Sequence, residues 1–412
     1  MIRLQRKALG RSSTDRSTLG SEAVAAGGMV FLGGRLAGTA APASDGIRAE
    51  SYFYRPVRRQ LHEIYSGIGK TLSAFNLDFR DLVRVDSGVT HRDHVSSYRS
   101  ERPRYLGEHL PTSTVVKVAG FHEPGAVIQL TPIAGDPSVL GDVVILESEA
   151  MPVFSRDAFS KGLRAGSWVF TSGATAAAHS AVKNPLGLAD AAAVDENYWA
   201  QSAVKLQTRY VLKTKIAGVL ESAELTIKDL AFANVYLTEC DVNLGPFWEE
   251  WIELFQGKPP ATSIVPVDGL GLRAGRVEIS AIAFAGDEPA MSFPGASPIQ
   301  TIPGCPVATR AGGLVWCSSV AVESASDPHN TGSRMAWALT RLEGVLDSAE
   351  AGLDDLVALA LYGQYDHDAE LLVSELKSRL TVELPAISFT RVDAPFYGAG
   401  TSLSLNAVAL AR

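Results

Sequence analysis

"AGVLESAELTIKDLAFA", residues 217–233, decides how this chain is read. Its first half ends a helical pattern in which Val204, Val211, Leu212, Val219 and Leu220 fall on one apolar face. Its second half starts a strand. The same helix end, turn and strand start recur as "GKTLSAFNLDFRDLVRV" (69–85) and "EGVLDSAEAGLDDLVAL" (343–359). Leu72, Leu220 and Leu346 are spaced by 148 and 126 residues, and Asp81, Asp229 and Asp355 repeat the same two spacings. Two landmarks with identical offsets predict a triple internal repeat.

Other segments follow the same count. "MVFLGGRLAG" (29–38), "WVFTSGATAA" (168–177) and "LVWCSSVAVE" (314–323) each run from an apolar strand into small residues, with Gly33, Ser172 and Ser318 equivalent. "LPTSTVVKV" (110–118), "PPATSIVPV" (259–267) and "LPAISFTRV" (384–392) begin a strand after a proline turn. "VIQLTPIA", "VEISAIA" and "LSLNAVAL" then alternate as closing strands. The expected units are 1–148, 149–292 and 293–412, joined by the Gly/Pro/Ser-rich "GDPSVLGD" and "GDEPAMSFPGASP". Within each unit the expected order is strand, strand, helix, strand, helix, strand, strand.

Composition narrows the function classes. The 412 residues are 46% hydrophobic and 20% charged, an ordinary globular mixture with a net charge of −8. That balance argues against a general nucleic-acid binder and against docking on acidic membranes. No apolar run approaches the length of a membrane helix. Three sparse cysteines, Cys240, Cys305 and Cys317, fit a reducing compartment, and a cytoplasmic location is expected. The Arg- and Ser-rich start lacks the apolar stretch of a secretory signal. It reads as a frayed basic terminus, with an organelle-targeting segment as the alternative on composition.

"AFSKGLRAGSWVFTSG" (158–173), the helix and strand of 207–243, "PPATSIVPVDGL" and "VEISAIA" resemble the RidA/YjgF family. The third unit resembles it from "GCPVATRAGGLVWCSS" (304–319) onward, and the first is the most diverged. The resemblance implies an α+β fold of three chorismate-mutase-like units forming an internal pseudo-trimer, with a central β-barrel, outer helices and ligand clefts between units. It also implies where chemistry sits in deaminating relatives. Their carboxylate-binding arginine aligns with Ser113, Thr262 and Ile387, and their closing-strand glutamate aligns with Thr131, Ser280 and Asn406. Phe159 and Cys305 stand where a tyrosine caps the family site. The standard imino-acid site is therefore missing from all three clefts.

The remaining polar residues define the candidates. Ser172 and Gly173 can offer backbone N–H groups to a substrate oxygen, or can merely turn the chain. Thr262 and Ser280 can orient a substrate, with Phe159 and Cys317 beside it. Cys317 is either a nucleophile or a small core residue. Glu278 lies two residues before Ser280 on the same strand face and can substitute for the family glutamate. Glu101, Glu249 and Glu375 repeat the 148 and 126 spacing on the second helix, so Glu249 is a second acid–base candidate. If a cation does reach a cleft, Arg273 or Lys183 is expected to supply it. The 176–201 insertion carries His179, Lys183, Asp195 and Glu196 near a cleft edge, as a lid or a surface flap. "THRDH" (90–94) is a weak metal pattern, with Asp93 and Asp241 read as helix caps; "SGIGKT" (66–71) falls in a helix pattern and is not a phosphate loop. No metal or organic cofactor is expected. The expected function is hydrolysis or deamination of a small imine, enamine or cyclic amide. The alternative is a non-catalytic small-ligand or scaffold protein. A small-molecule ligand and pairing of two chains are the expected associations.

Overall fold

The landmark turn is built the same way three times. Asn76, Glu224 and Glu350 take left-handed backbone, with φ of 60°, 61° and 57°. The amides of Leu77, Leu225 and Ala351 then donate to the carbonyls of Leu72, Leu220 and Leu346, which closes each helix C-terminus. Asp81, Asp229 and Asp355 accept from the N–H groups of Asp78, Thr226 and Gly352 at 2.7, 2.7 and 2.8 Å. The repeated aspartate starts a short 3-10 turn and aims the chain into a strand, as half of a capping box with Asp78 and Thr226 in the first two units and alone in the third, where Gly352 has no side chain.

The computed structural model describes residues 7–10, 18–37, 55–151, 158–178, 187–195, 201–286, 290–294, 304–323, 331–365, 367–393 and 401–412. The first unit contains β1 (Lys7–Leu9), β2 (Ala23–Ala26), β3 (Met29–Leu32), α1 (Arg55–Ser73), β4 (Leu82–Val89), α2 (Asp93–Leu106), β5 (Thr112–Lys117) and β6 (Ile128–Gly135). A short helix, α3 (Pro137–Leu140), leads to β7 (Val143–Leu146), β8 (Gly162–Ala165) and β9 (Trp168–Thr171). The second unit continues through α4 (Ala203–Tyr210), a π-turn (Val211–Ile216) and α5 (Ala217–Glu221). It ends with β10 (Leu230–Leu237), α6 (Cys240–Leu254), β11 (Ala261–Pro266) and β12 (Val277–Phe284). The third holds β13 (Met291–Pro294), β14 (Pro306–Ala311), β15 (Leu314–Cys317), β16 (Val320–Glu323), α7 (Thr331–Ser348), β17 (Leu356–Gly363), α8 (Asp368–Arg379), β18 (Ala386–Arg391) and β19 (Thr401–Leu410).

Three mixed sheets result, ordered β1-β2-β3-β6-β4-β5, β7-β8-β9-β12-β10-β11 and β13-β14-β15-β19-β17-β18, with β16 also on β19. In each, the strand after the landmark turn pairs parallel with its successor and antiparallel with the closing strand. The parallel pair requires a crossover, which α2, α6 and α8 supply. The joints are more structured than linkers: Met291–Pro294, inside the second, adds the edge strand β13. Asp93 and Asp241 lie in the first turns of α2 and α6 and make no cap hydrogen bond there, which corrects their reading as caps. "SGIGKT" lies within α1.

Two kinds of core follow. On the helix side, each unit has its own, such as Val57, Leu61, Ile64, Ile68 and Leu72 of α1 against the first sheet. The inner faces merge into one shared cluster holding Phe31, Phe170, Phe232, Trp168, Trp316 and Val357 from all three units. The sheets remain three separate ladders, so the closed barrel expected from the sequence is not seen as one continuous sheet.

Replacing Asp229 with Ala removes the capping-box acceptor and should cost about 0.5–2 kcal/mol, measured as a lower urea midpoint at unchanged slope. An unchanged midpoint would show that the landmark aspartate does not hold the turn.

Candidate functional site

The Ser-Gly loop after β9 turns out to be a joint between units. The Ser172 hydroxyl donates to the Ser160 carbonyl at 2.6 Å and accepts from the Ser113 N–H at 2.9 Å. The Gly173 N–H donates to the Ser113 carbonyl at 3.0 Å. Ser113 lies on β5, the edge of the first sheet. The pattern repeats between the second and third units: Ser318 Oγ accepts from the Thr262 N–H at 2.9 Å, and the Ser319 N–H donates to the Thr262 carbonyl at 3.1 Å. Between the third and first, the Gly34 N–H donates to the Ile387 carbonyl at 2.9 Å. Ser113, Thr262 and Ile387, where relatives carry an arginine, are the three anchor points.

This divides the candidate residues. Ser172, Gly173, Phe159, Glu278 and Ser280 gather where the first and second units meet. Thr262 belongs to the next junction, where its hydroxyl donates to the Pro260 carbonyl at 2.8 Å. Cys317 is fully buried in the third unit's core, and burial pushes its thiol up to about 12. Glu249 stands exposed on α6, paired with Lys205 at 2.6 Å. Its neighbour Glu250 is the buried acid, held by Arg209 at 2.7 Å, because one residue along a helix turns the side chain to another face. Glu101 is buried and paired with Arg58, so the repeated spacing of the three glutamates does not mark equivalent environments. His91 and His94 lie edge to face at the start of α2, and no cluster of three or more ligating side chains occurs among the described residues.

Beside the first junction, α2 and the 270–273 loop of the second unit enclose a cleft of about 760 Å³. Arg92, the N-cap residue of α2, Arg99 within α2, Arg273 from the loop and Ala158 are among its lining residues. Three guanidinium groups from two units focus a positive field that favours a small anion. Arg99 also lies over the Phe159 ring, 6.0 Å from its centroid. Arg273 was legible as a cation that can reach a cleft. Arg92 and Arg99 were missed, although their seven-residue spacing places both on one helix face. Ala176, Leu188, Ala189 and Ala192 of the insertion pack on the second unit's core. His179, Lys183 and Glu196 lie outside the described residues.

Glu278 is the buried carboxyl of this region. It points from β12 toward the Ser-Gly loop, so that a Cβ on Gly173 would collide with its carboxyl and with the Thr114 side chain. Only 6% of the residue is exposed. Burial raises its pKa to about 8, the Arg99 charge pulls against that, and Asp86 adds to it. At neutral pH the carboxyl is therefore largely protonated and able to donate. Ser280, two residues on, accepts from Arg84 of the first unit at 2.7 Å.

The raised pKa has a thermodynamic consequence. From its ordinary value of 4.5 up to about 8, the folded protein keeps a proton on Glu278 that the unfolded chain has lost. This contribution to stability is full below the ordinary value and is lost as pH rises through that window. Glu278→Gln should therefore gain stability relative to the parent between about pH 5 and pH 9, by up to a few kcal/mol, in paired urea titrations. A difference that does not vary with pH would contradict the assignment. Gly173→Ala should destabilise by roughly 1–3 kcal/mol through overpacking.

Residues 152–285 match the family model described as endoribonuclease L-PSP. No curated protein matches the chain in sequence. Among solved structures it is similar to a chorismatase, at 10% identity over 91% of this chain and 97% of that one, with a TM-score of 0.49. It is similar to a protein of unknown function from Pseudomonas aeruginosa, at 29% identity over 36% of this chain and 94% of that one, with a TM-score of 0.29. RidA from the Antarctic bacterium Psychrobacter sp. aligns at 21% identity over 34% and 98% of the two chains, with a TM-score of 0.27. No helix among the described residues is long and apolar enough to cross a membrane. The family-model match is carried by the second unit, whose sheet plan is present three times in the chain.

Proposed function

We propose that the protein is a small-molecule hydrolase that acts on an anionic imine, enamine or cyclic amide in the cleft between its first and second units. The observation that carries this reading is the buried Glu278 carboxyl beside Gly173, under the charge of Arg99 at an arginine-lined cleft. Arg92, Arg99 and Arg273 hold the substrate's anionic group in place of the family arginine. The neutral Glu278 carboxyl donates its proton to the imine nitrogen. Water then adds to the carbon and returns a proton to Glu278, and the carbinolamine collapses to a carbonyl compound and ammonia. The central barrel of the family architecture, with its clefts between sheets, belongs to the same reading.

A binding-only role is the second reading. It is favoured by the hydroxyls of Ser172, Thr262 and Ser318, each of which already donates to a backbone carbonyl.

A thermal-shift screen of small carboxylates, imino acids and cyclic amides tests the cleft. A ligand at a hundredfold excess over its Kd should stabilise the fold by about 2.7 kcal/mol. Arg99→Ala should weaken that ligand by roughly 1.5–3 kcal/mol. Glu278→Gln should leave binding in place and lower turnover by about 100- to 10,000-fold. Binding with no turnover in the parent protein would favour the second reading. Turnover of 2-iminobutanoate should fall well below that of a single-unit relative at equal site concentration. Comparable rates would show that the three arginines replace the family arginine fully.

A further inference from the structure

The strands that follow the landmark turns face one another inside the molecule, and their equivalent positions differ. Arg84 on β4 corresponds to Phe232 on β10 and Ala358 on β17, and Asp86 corresponds to Asn234 and Ala360. These residues line a cavity of about 140 Å³ between the three sheets, separate from the arginine cleft. One end is apolar, where Trp316 stacks on Phe232 with centroids 5.4 Å apart and meets Phe31 at 6.0 Å. The lining also includes the polar side chains of Asp86, Asn234, Tyr236 and Tyr362.

Arg84 is 2% exposed. Its Nε donates to Asp86 Oδ2 at 2.9 Å and its Nη2 to Ser280 Oγ at 2.7 Å. Nη1 of Arg84 and Oδ1 of Asp86 are buried and find no hydrogen-bond partner among the described residues; Gln129 Nε2, also on the lining, is in the same state. A buried charged group with unmade hydrogen bonds is costly and calls for an explanation, and the cavity beside this pair has room for a group that makes them. The unmet donor and the unmet acceptor belong to one ion pair, so they lie in one neighbourhood. The pair is neutral overall, so its complement is neutral too.

We propose that this cavity is a second ligand site, for a neutral six-membered heterocycle with an amide edge. The ring carbonyl accepts from Arg84 Nη1, the adjacent ring N–H donates to Asp86 Oδ1, and the ring body lies against Phe232 and Trp316. The volume is close to that of an apolar cavity known to hold a benzene ring. This site does not rest on the cleft reading, because it shares none of the cleft's lining residues.

Uracil is a suitable probe, with benzoate as an anionic control, in calorimetric titrations of the full chain. Uracil should bind saturably at one per chain, and benzoate should not compete. Asp86→Asn should weaken uracil at least tenfold by removing the ionic acceptor. Ala360→Leu, which fills the cavity from the opposite strand and leaves the ion pair intact, should do the same. Arg99→Ala, in the cleft, should leave uracil binding unchanged, which separates this site from the cleft. No saturable uracil binding to the folded parent would overturn the proposal and leave a water-filled cavity. Equal affinity for the parent and either folded variant would overturn it as well.

Discussion

Each of the three sheets ends in an edge strand that its own unit cannot pair. β5, β11 and β18 would expose unmade backbone groups, a liability that sheet proteins must cover. Here the cover is the loop of the next unit, which reaches Ser113, Thr262 and Ile387 in turn and so closes the chain on itself. The Ser172 and Ser318 hydroxyls each bridge two backbone groups across this seam. The third junction has Gly33 at the same position, and Ser21 bridges it instead, its N–H donating to the Pro385 carbonyl at 3.0 Å and its hydroxyl to the Leu384 carbonyl at 2.5 Å. The shared inner core depends on the same closure, since Phe31, Phe232 and Trp316 meet only when all three sheets face one another.

Fusion of the units into one chain lets their equivalent positions diverge. The position of Glu278 is Gln129 in the first unit and Ser404 in the third, so only one junction carries a buried acid there. The same junction receives Arg92 and Arg99 from the first unit and Arg273 from the second. An assembly of identical subunits would repeat every such residue three times. The axial Arg84–Asp86 pair obeys the same logic, because three copies of it would crowd one small cavity with charge.

The parts of the fold that were legible in the sequence are local. The Leu and Asp landmarks reflect hydrogen bonds within a few residues, so their spacing survives as a visible repeat. The helical face of Val204, Val211, Leu212, Val219 and Leu220 was legible for the same reason, and all five are buried. The site was legible only in part. Glu278 could be found from strand alternation, but its partner Arg99 lies in another unit, and no spacing rule links the two. Thr262 and Cys317 were grouped with Ser172 by proximity to family motifs, whereas the seam assigns Thr262 to a different junction and the core takes Cys317. Glu249 and Glu250 differ by one helical step, which separates an exposed pair from a buried one.

Amide hydrogen exchange at the seams is the most direct measurement of this account. The amides of Gly34, Ser113, Gly173, Thr262 and Ser319 each donate across a junction. If the units close on one another as described, these five should exchange only through global unfolding, at the pace of the central strand β4. Rapid exchange at these amides, at the rate of open sheet edges, would contradict the closure on which both the cleft and the axial cavity depend.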